Sequence, residues 1–143
     1  FKGCYRITAV DRSLNESDFS NTDCIDNCPQ FILPNAFSPN GDGINDTFTP
    51  LYNKGESVLG FDNSNCPRFI LEVSFKVFDR AGKEVFDFQF EKESSTLIHW
   101  DGKNNAGSPL AAGIYFYVSE VIFDVLPSAQ PTKTYKGWIQ LLK

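Results

Sequence analysis

The chain has no methionine and only one histidine, and these absences limit the chemistry available to it. A Ser-His-Asp arrangement would have to use His99, which lies beside Trp100 in a run typical of a strand. The aspartates and glutamates fall mostly at turns or at alternate strand positions, where solvation accounts for them. No glycine-rich phosphate-binding motif opens a helix. The sequence therefore predicts a protein that is not an enzyme.

Basic residues are also few, and they are scattered along the chain. The 13 Lys and Arg residues against 18 Asp and Glu residues give a net charge of −5, without the basic patch of a nucleic-acid binder. Long hydrophobic runs are missing as well, because the longest apolar window, Leu110 to Leu126, is broken by Ser119, Glu120 and Asp124. We expect neither nucleic acid among the partners nor a direct membrane span.

Aromatic residues, in contrast, are abundant, with 14 Phe, 5 Tyr and 2 Trp. They lie in runs that alternate apolar and polar residues, and the clearest pair, 69–78 and 85–90, flanks the turn Asp79–Gly82. About seven short strands separated by turn clusters predict an all-β, Ig-like antiparallel β-sandwich. The strand aromatics are expected in its core, namely Phe75, Phe86, Phe88, Phe90, Tyr115, Tyr117 and Trp138.

The first 27 residues form a separate unit in this interpretation. The runs 5–10 and 19–25 resemble the final hairpin of a fibronectin type III-like or Ig-like domain, and two strands cannot bury a core alone. Because Phe1 is not a natural start, we expect the chain to be a piece of a longer protein. Residues 1–27 are assigned to the end of a preceding β-sandwich and residues 28–143 to a second domain.

Four cysteines are present, and their spacing does not match the paired CxxC motif of a zinc site. An even number without metal spacing predicts two disulfides and an oxidising, extracellular setting. Three connectivities are compatible with the sequence. We favour Cys4–Cys24 and Cys28–Cys66, because each pair then lies within one structural unit.

The segment PNAFSPNGDGINDTF (34–48) places carboxylate and carboxamide oxygens at nearly every second position, with two glycines interleaved. Oxygen-rich tight loops of this kind can hold Ca²⁺, for which glycine supplies the positive φ angles. The same residue types also form ordinary Asx-rich turns. A calcium site would use side-chain oxygens and a backbone carbonyl from Asn40, Asp42, Ile44, Asn45 and Asp46, and calcium is the one cofactor that the sequence suggests.

Four segments carry a specific pattern through their order and spacing: LPNAFSPNGDGINDTF (33–48), FKVFDRAGKEVF (75–86), WDGKNNAGSPLAAGIYFYV (100–118) and KGWIQLL (136–142). Together they resemble the gliding-motility-associated C-terminal domain, the type B cargo domain of the type IX secretion system in Bacteroidetes-type bacteria. The resemblance covers residues 28–143. It implies an Ig-like sandwich at the C-terminal end of a large secreted or surface-attached protein, such as a gliding adhesin.

The resemblance further implies a non-catalytic secretion signal. Its expected partners are the type IX translocon and a PorP/SprF-like outer-membrane barrel, and its expected location is the cell surface or the medium. We expect the loop and the final strand to be recognised through Asn35, Ser38, Asn40, Tyr135, Lys136, Gly137, Trp138 and Leu142. The alternative is an adhesive or carbohydrate-binding β-sandwich module stiffened by calcium.

Overall fold

Seven β-strands make up the regular structure of the computed structural model, which describes residues 2–27, 29–50, 69–91, 98–127, 129 and 131–143. The strands are β1 (Gly3–Tyr5), β2 (Asp23–Ile25), β3 (Ala36–Phe37), β4 (Ile70–Phe78), β5 (Glu84–Glu91), β6 (Gly113–Phe123) and β7 (Thr132–Leu141). These residues include no helix that is long and apolar enough to cross a membrane. The predicted all-β class is confirmed.

The predicted hairpin is formed by β4 and β5. Its strands pair in antiparallel fashion, with Phe75 opposite Phe88. The Asp79 carboxylate holds the turn by accepting the N–H groups of Ala81 and Lys83, each at 2.9 Å. A positive φ of 80° at Gly82 completes the turn, as the period-2 pattern on either side of it predicts.

One five-stranded sheet holds the order β3-β7-β6-β4-β5. Neighbours in this sheet are antiparallel except at the edge, where β3 runs parallel to β7 with Phe37 beside Leu141. Parallel neighbours need a long connection, and almost the whole domain separates β3 from β7 in the chain. The expected antiparallel sandwich therefore includes one parallel pairing at its edge.

The core lies between this sheet and a second layer made of segments outside it. Phe31, Phe48, Ile98 and Trp100 of the second layer are buried. They pack against the inward side chains of the sheet, including Val73, Phe75, Val77, Tyr115, Val121, Phe123, Ile139 and Leu141. Each large apolar side chain contributes about 1.5–3 kcal/mol on burial, so this cluster accounts for the Ig-like sandwich.

Most of the strand aromatics lie where the sequence predicts. Phe75 and Tyr115 are buried, and three others are partly buried against the core, namely Phe86, Phe88 and Tyr117. The side chain of Phe90 is outside the described set. The prediction was wrong for Trp138, which is 46% exposed. Ile139 and Leu141 take the inward positions of β7, so alternation sends Trp138 to the opposite face.

The opening residues form a two-stranded sheet in which β1 pairs with β2, but both strands are shorter than the predicted runs 5–10 and 19–25, and β1 ends at Tyr5. A disulfide joins Cys4 to Cys24 across this pair, which confirms the first of the two favoured bridges. The second prediction, Cys28–Cys66, lies outside the described residues. The hairpin contacts the sandwich near the end of β6, where Lys2 pairs with Asp124 and Asn27 Nδ2 donates to the Asp124 carbonyl.

Candidate recognition surface

The segments that carry the sequence pattern lie together at one end of the sandwich. The final residues of β7 lie beside β3 on one side and beside the start of β6 on the other, with Gly113 opposite Leu141. The β4–β5 turn is at the same end, because Phe78 pairs with Phe116. We call this region the motif end, and it comprises residues 38–47, 79–83, 100–113 and 141–143.

Trp100 is the structural centre of the motif end. Its backbone exchanges two hydrogen bonds with Phe48, at 2.8 and 3.1 Å, and its indole N–H donates to the Lys103 carbonyl at 2.7 Å. Its ring lies 5.1 Å from that of Phe37 and 5.6 Å from that of Phe86. Trp100 is fully buried, so it fixes the second layer against the sheet.

Gly102 brings three of the four signature segments into contact. Its φ is +78°, and a Cβ atom built on it would lie 3.1 Å from Leu141 Cδ1 and 3.2 Å from Pro39 Cγ. Its carbonyl accepts the N–H of Leu110 at 2.9 Å. A larger residue would separate the loop, the WDGK turn and the last strand, which explains the need for glycine here.

The loop after β3 is closed by its own aspartate. The two carboxylate oxygens of Asp46 accept the N–H groups of Gly41 at 2.6 Å and Gly43 at 2.8 Å. The hydrogen bond from Gly41, and to a smaller extent that from Gly43, lowers the pKa of the Asp46 carboxyl below its ordinary value. The carbonyl of Asn45 accepts the Ser38 N–H at 2.8 Å, which joins the two ends of the loop.

Asp42 is engaged inside the same loop. One of its oxygens accepts the Ile44 N–H at 2.7 Å and the other accepts the Asn40 amide at 2.9 Å. All four carboxylate oxygens of Asp42 and Asp46 therefore hold loop hydrogen bonds, and the described residues contain no group of three His, Cys, Asp or Glu side chains suited to a metal. These hydrogen bonds close the loop, and calcium binding stays a prediction from the sequence.

Of the eight residues predicted for recognition, most are exposed to solvent and two face the inside of the sandwich. Asn35, Asn40 and Leu142 are exposed at or beside the motif end, where Ser38 is partly covered. Further along β7, Lys136 and Trp138 point outward. Tyr135 and Gly137 take inward-facing positions, as the Phe31 ring 5.3 Å from Tyr135 and the Tyr117 ring against Gly137 show.

The sequence interpretation missed an apolar surface on the outer face of the sheet. Ile114, Phe116, Trp138 and Leu142 share this face and are 43–48% exposed, and Phe116 lies directly opposite Trp138. Half-buried Phe78 continues the row on β4. We call these five residues the apolar strip. The run IYFYV (114–118) carries the signal, since apolar side chains occupy both faces of β6.

A family model matches most of the chain. Residues 31–141 match the family described as CHU_C Type IX secretion signal domain, and this range includes the four signature segments except Leu142. No curated protein and no solved structure matches the chain. The family description identifies this domain as a type IX secretion signal, as the sequence pattern implies. The chain therefore belongs to the family of CHU_C type IX secretion signal domains.

Proposed function

We propose that the motif end is the part of this domain that the type IX translocon and an outer-membrane partner recognise. The proposal rests on the convergence at Gly102, where the loop after β3, the WDGK turn and the final strand meet. Segments far apart in the chain form one surface there, which a receptor would read only on the folded domain. The partner we propose is a PorP/SprF-like barrel protein, and the exported product stays at the cell surface.

The opening hairpin lies at the opposite end of the sandwich from the motif end, and this position supports the proposal. Lys2 and Asn27 contact Asp124, and the Asp26 carboxylate accepts the Leu126 N–H at 2.9 Å, all beyond the end of β6. The motif end adjoins the start of β6 and is thus about 35 Å away, at about 3.4 Å per strand residue. The rest of the exported protein, a gliding adhesin in this proposal, would leave the motif end open to the translocon.

The proposed role requires no chemistry from the domain itself. His99, the only histidine, is exposed and follows buried Ile98 with Trp100 next to it, which is the alternation of an extended segment. This placement supports a structural position for His99. It is one reason why we propose a domain that acts through its surface alone.

Export of a fused reporter tests the proposal. Deleting residues 136–143 would be a poor test, because it removes Ile139 and Leu141 from the core. The sharper variants are Ile44→Glu and Leu142→Glu, since both side chains are exposed at the motif end. We expect these variants to keep the wild-type Tm and to lose export of the reporter.

A matched control uses Ile7→Glu on the opening hairpin, where the side chain is also exposed. This variant should be exported as well as the wild type. Full export of both motif-end variants would show that recognition uses another surface. Loss of export in all three variants would indicate a general effect of added charge.

The opening hairpin itself supports a second proposal, on domain organisation. Its apolar side chains are unusually exposed, and they are Tyr5, Ile7, Val10, Leu14, Phe19 and Ile25. Large exposed apolar sets mark surfaces that another element covers. We propose that residues 1–27 complete a β-sandwich formed by preceding residues of the parent protein. Hydrogen exchange at Tyr5 and Ile25 should slow at least tenfold in a longer fragment, and equal exchange would refute this arrangement.

The apolar strip favours one other function, the binding of carbohydrate. Exposed aromatic rings on a flat sheet can stack on sugar rings, and Phe116 and Trp138 are both about half exposed. A glycan array separates the two functions. Strong, selective glycan binding that Trp138→Ala abolishes, with no export of a reporter, would establish the module as a carbohydrate binder.

A further inference from the structure

Along most of β7, the backbone groups of the outer edge have no hydrogen-bond partner among the described residues. The N–H groups of Gln140 and Leu142 donate to the carbonyls of Asn35 at 2.8 Å and Phe37 at 2.9 Å. β3 pairs with β7 only here, at the last two strand residues. No other described strand pairs with β7 on this side.

The pairing at Gln140 fixes the direction of the remaining backbone groups. Peptide groups alternate in direction along a strand, so every second residue before Gln140 turns its N–H and C=O toward the same edge. No partner for these groups is present among the described residues, and they belong to Thr134, Lys136 and Trp138. An unpaired row of this kind is a template for an added strand.

The apolar strip borders this edge. Trp138 lies on β7 itself, and Phe116 opposite it extends the same surface across β6. A strand added along β7 would place every second side chain on this face, next to Trp138. One extended segment with apolar residues at alternate positions would therefore both pair with the outer backbone groups of β7 and cover the apolar strip.

Charge defines the occupant further. Residues 132–143 contain three lysines and no acidic residue, although the chain as a whole has a net charge of −5. Lys136 projects from the open edge and makes no ion pair within the described residues, whereas Lys76 on the same face is paired with Glu84 at 2.9 Å. A second copy of β7 would bring lysines against lysines. An acidic segment fits instead.

The inner side of the edge restricts the size of the incoming residues. The ring of Phe31 packs against Tyr135 at 5.3 Å, and Phe31 is buried. This contact closes the inner face next to the edge. Inward side chains of an added strand must therefore be small, and outward ones apolar or acidic.

We propose that the edge of β7 from Thr134 to Trp138 binds an extended acidic segment of a partner protein by β-strand addition, with its outward side chains against the apolar strip. This inference deepens the proposed function and rests on it, because the partner is taken to be a component that recognises the secretion domain. Backbone pairing supplies the binding, and the alternate side chains supply selectivity.

The test uses the 143-residue chain and a synthetic ten-residue peptide in which serine alternates with valine and glutamate. Fluorescence of Trp138 reports binding, because the other tryptophan, Trp100, is fully buried. We expect a blue shift that saturates with the acidic peptide and is absent in Trp138→Phe. A matched peptide with lysine in place of glutamate should bind at least tenfold more weakly.

Two further arms identify the mode of binding. A peptide N-methylated at alternate amides should lose binding at least tenfold, because it cannot pair with the strand. Lys136→Glu should reverse the charge preference between the acidic and the basic peptide. Equal binding of the N-methylated peptide would overturn strand addition, and so would the same spectral shift with a soluble glucan or the absence of a shift with every peptide.

Reporter export separates this inference from the proposed function. If the wild-type domain exports the reporter but binds no peptide, strand addition is wrong and the secretion role stands. If the wild-type domain fails to export the reporter, the proposed function fails whatever the peptides do. Export by wild type together with loss in Lys136→Glu supports both.

Discussion

Phe48 and Trp100 exchange both of their backbone hydrogen bonds, at 2.8 and 3.1 Å, and both side chains are fully buried. One residue ends the oxygen-rich loop and the other begins the WDGK turn. The pair therefore ties two signature segments together at a point that is also the centre of the aromatic core. The proposed recognition surface and the stability of the domain therefore depend on the same pair of residues.

Replacing Trp100 by Phe should destabilise the domain by about 2–4 kcal/mol. The change removes the indole N–H that donates to the Lys103 carbonyl and leaves a cavity beside Phe37 and Phe86. Urea unfolding measures the loss. Trp138→Phe is the matched control, and it should change the free energy of unfolding by less than about 1 kcal/mol because Trp138 is half exposed. Equal effects at both positions would contradict the assigned burial.

Gly102 and Gly107 allow two contributions to the free energy of unfolding to be separated, namely side-chain packing and backbone conformation. Their φ angles are +78° and +79°, but a methyl group added at Gly102 would crowd its neighbours, whereas one added at Gly107 would meet nothing within 4 Å. Gly107→Ala should cost about 1 kcal/mol for the left-handed conformation alone. Gly102→Ala should cost a further 1–3 kcal/mol or so through overpacking against Leu141 and Pro39.

Thermal unfolding of both glycine variants tests this difference. Gly102→Ala should also reduce reporter export more than Gly107→Ala, because it moves the loop and the last strand apart. Equal Tm values for the two variants would show that the contacts around Gly102 carry no strain.

Acid should open the loop through Asp46. Its pKa is lowered in the folded chain by the N–H groups of Gly41 and Gly43. A lowered folded pKa means that the ionised carboxylate contributes stability above the ordinary aspartate pKa of about 3.9, and that this contribution is lost as the pH falls through the lowered value. The Tm of Asp46→Asn should therefore be lower than that of wild type near pH 6, and the difference between the two Tm values should become smaller below about pH 3.

The control for Asp46 is Asp18→Asn, at an exposed aspartate whose carboxylate has no bond within the described residues. Its Tm should follow that of wild type from about pH 6 to about pH 2. A constant difference between Asp46→Asn and wild type over this range would mean that the loop bonds do not depend on ionisation.

The hydrogen bonds within the loop lead to an expectation opposite to the calcium site suggested by the sequence, namely that calcium has little effect on stability. The carboxylate oxygens of Asp42 and Asp46 already accept hydrogen bonds within the loop, so the loop keeps its shape without an ion. We expect the Tm in millimolar Ca²⁺ and in EDTA to agree within about 1 °C, with no heat of binding by calorimetry. A calcium-dependent rise that Asp46→Asn removes would instead establish the metal site predicted from the sequence.

Local patterns were enough to predict much of this domain. Alternation on both sides of Asp79–Gly82 determined the β4–β5 hairpin, because each strand keeps one face apolar. The Cys4–Cys24 bridge followed from the strand pairing of the opening unit. The four signature segments determined the family, since their order and spacing are specific.

Tertiary structure decided which surfaces are available for recognition. In β6 and β7 apolar residues occupy both faces, so the pattern could not distinguish inward Ile139 from outward Trp138. Only the pairing of β7 with β6 and β3 fixes that choice, and it leaves the outer backbone groups at Lys136 without a partner among the described residues. The sequence by itself determined the family and the longer strands β4 to β7, through short-range alternation and turn chemistry. The meeting of loop, turn and last strand at Gly102 depends on contacts between residues distant in the chain, which only the folded domain brings together.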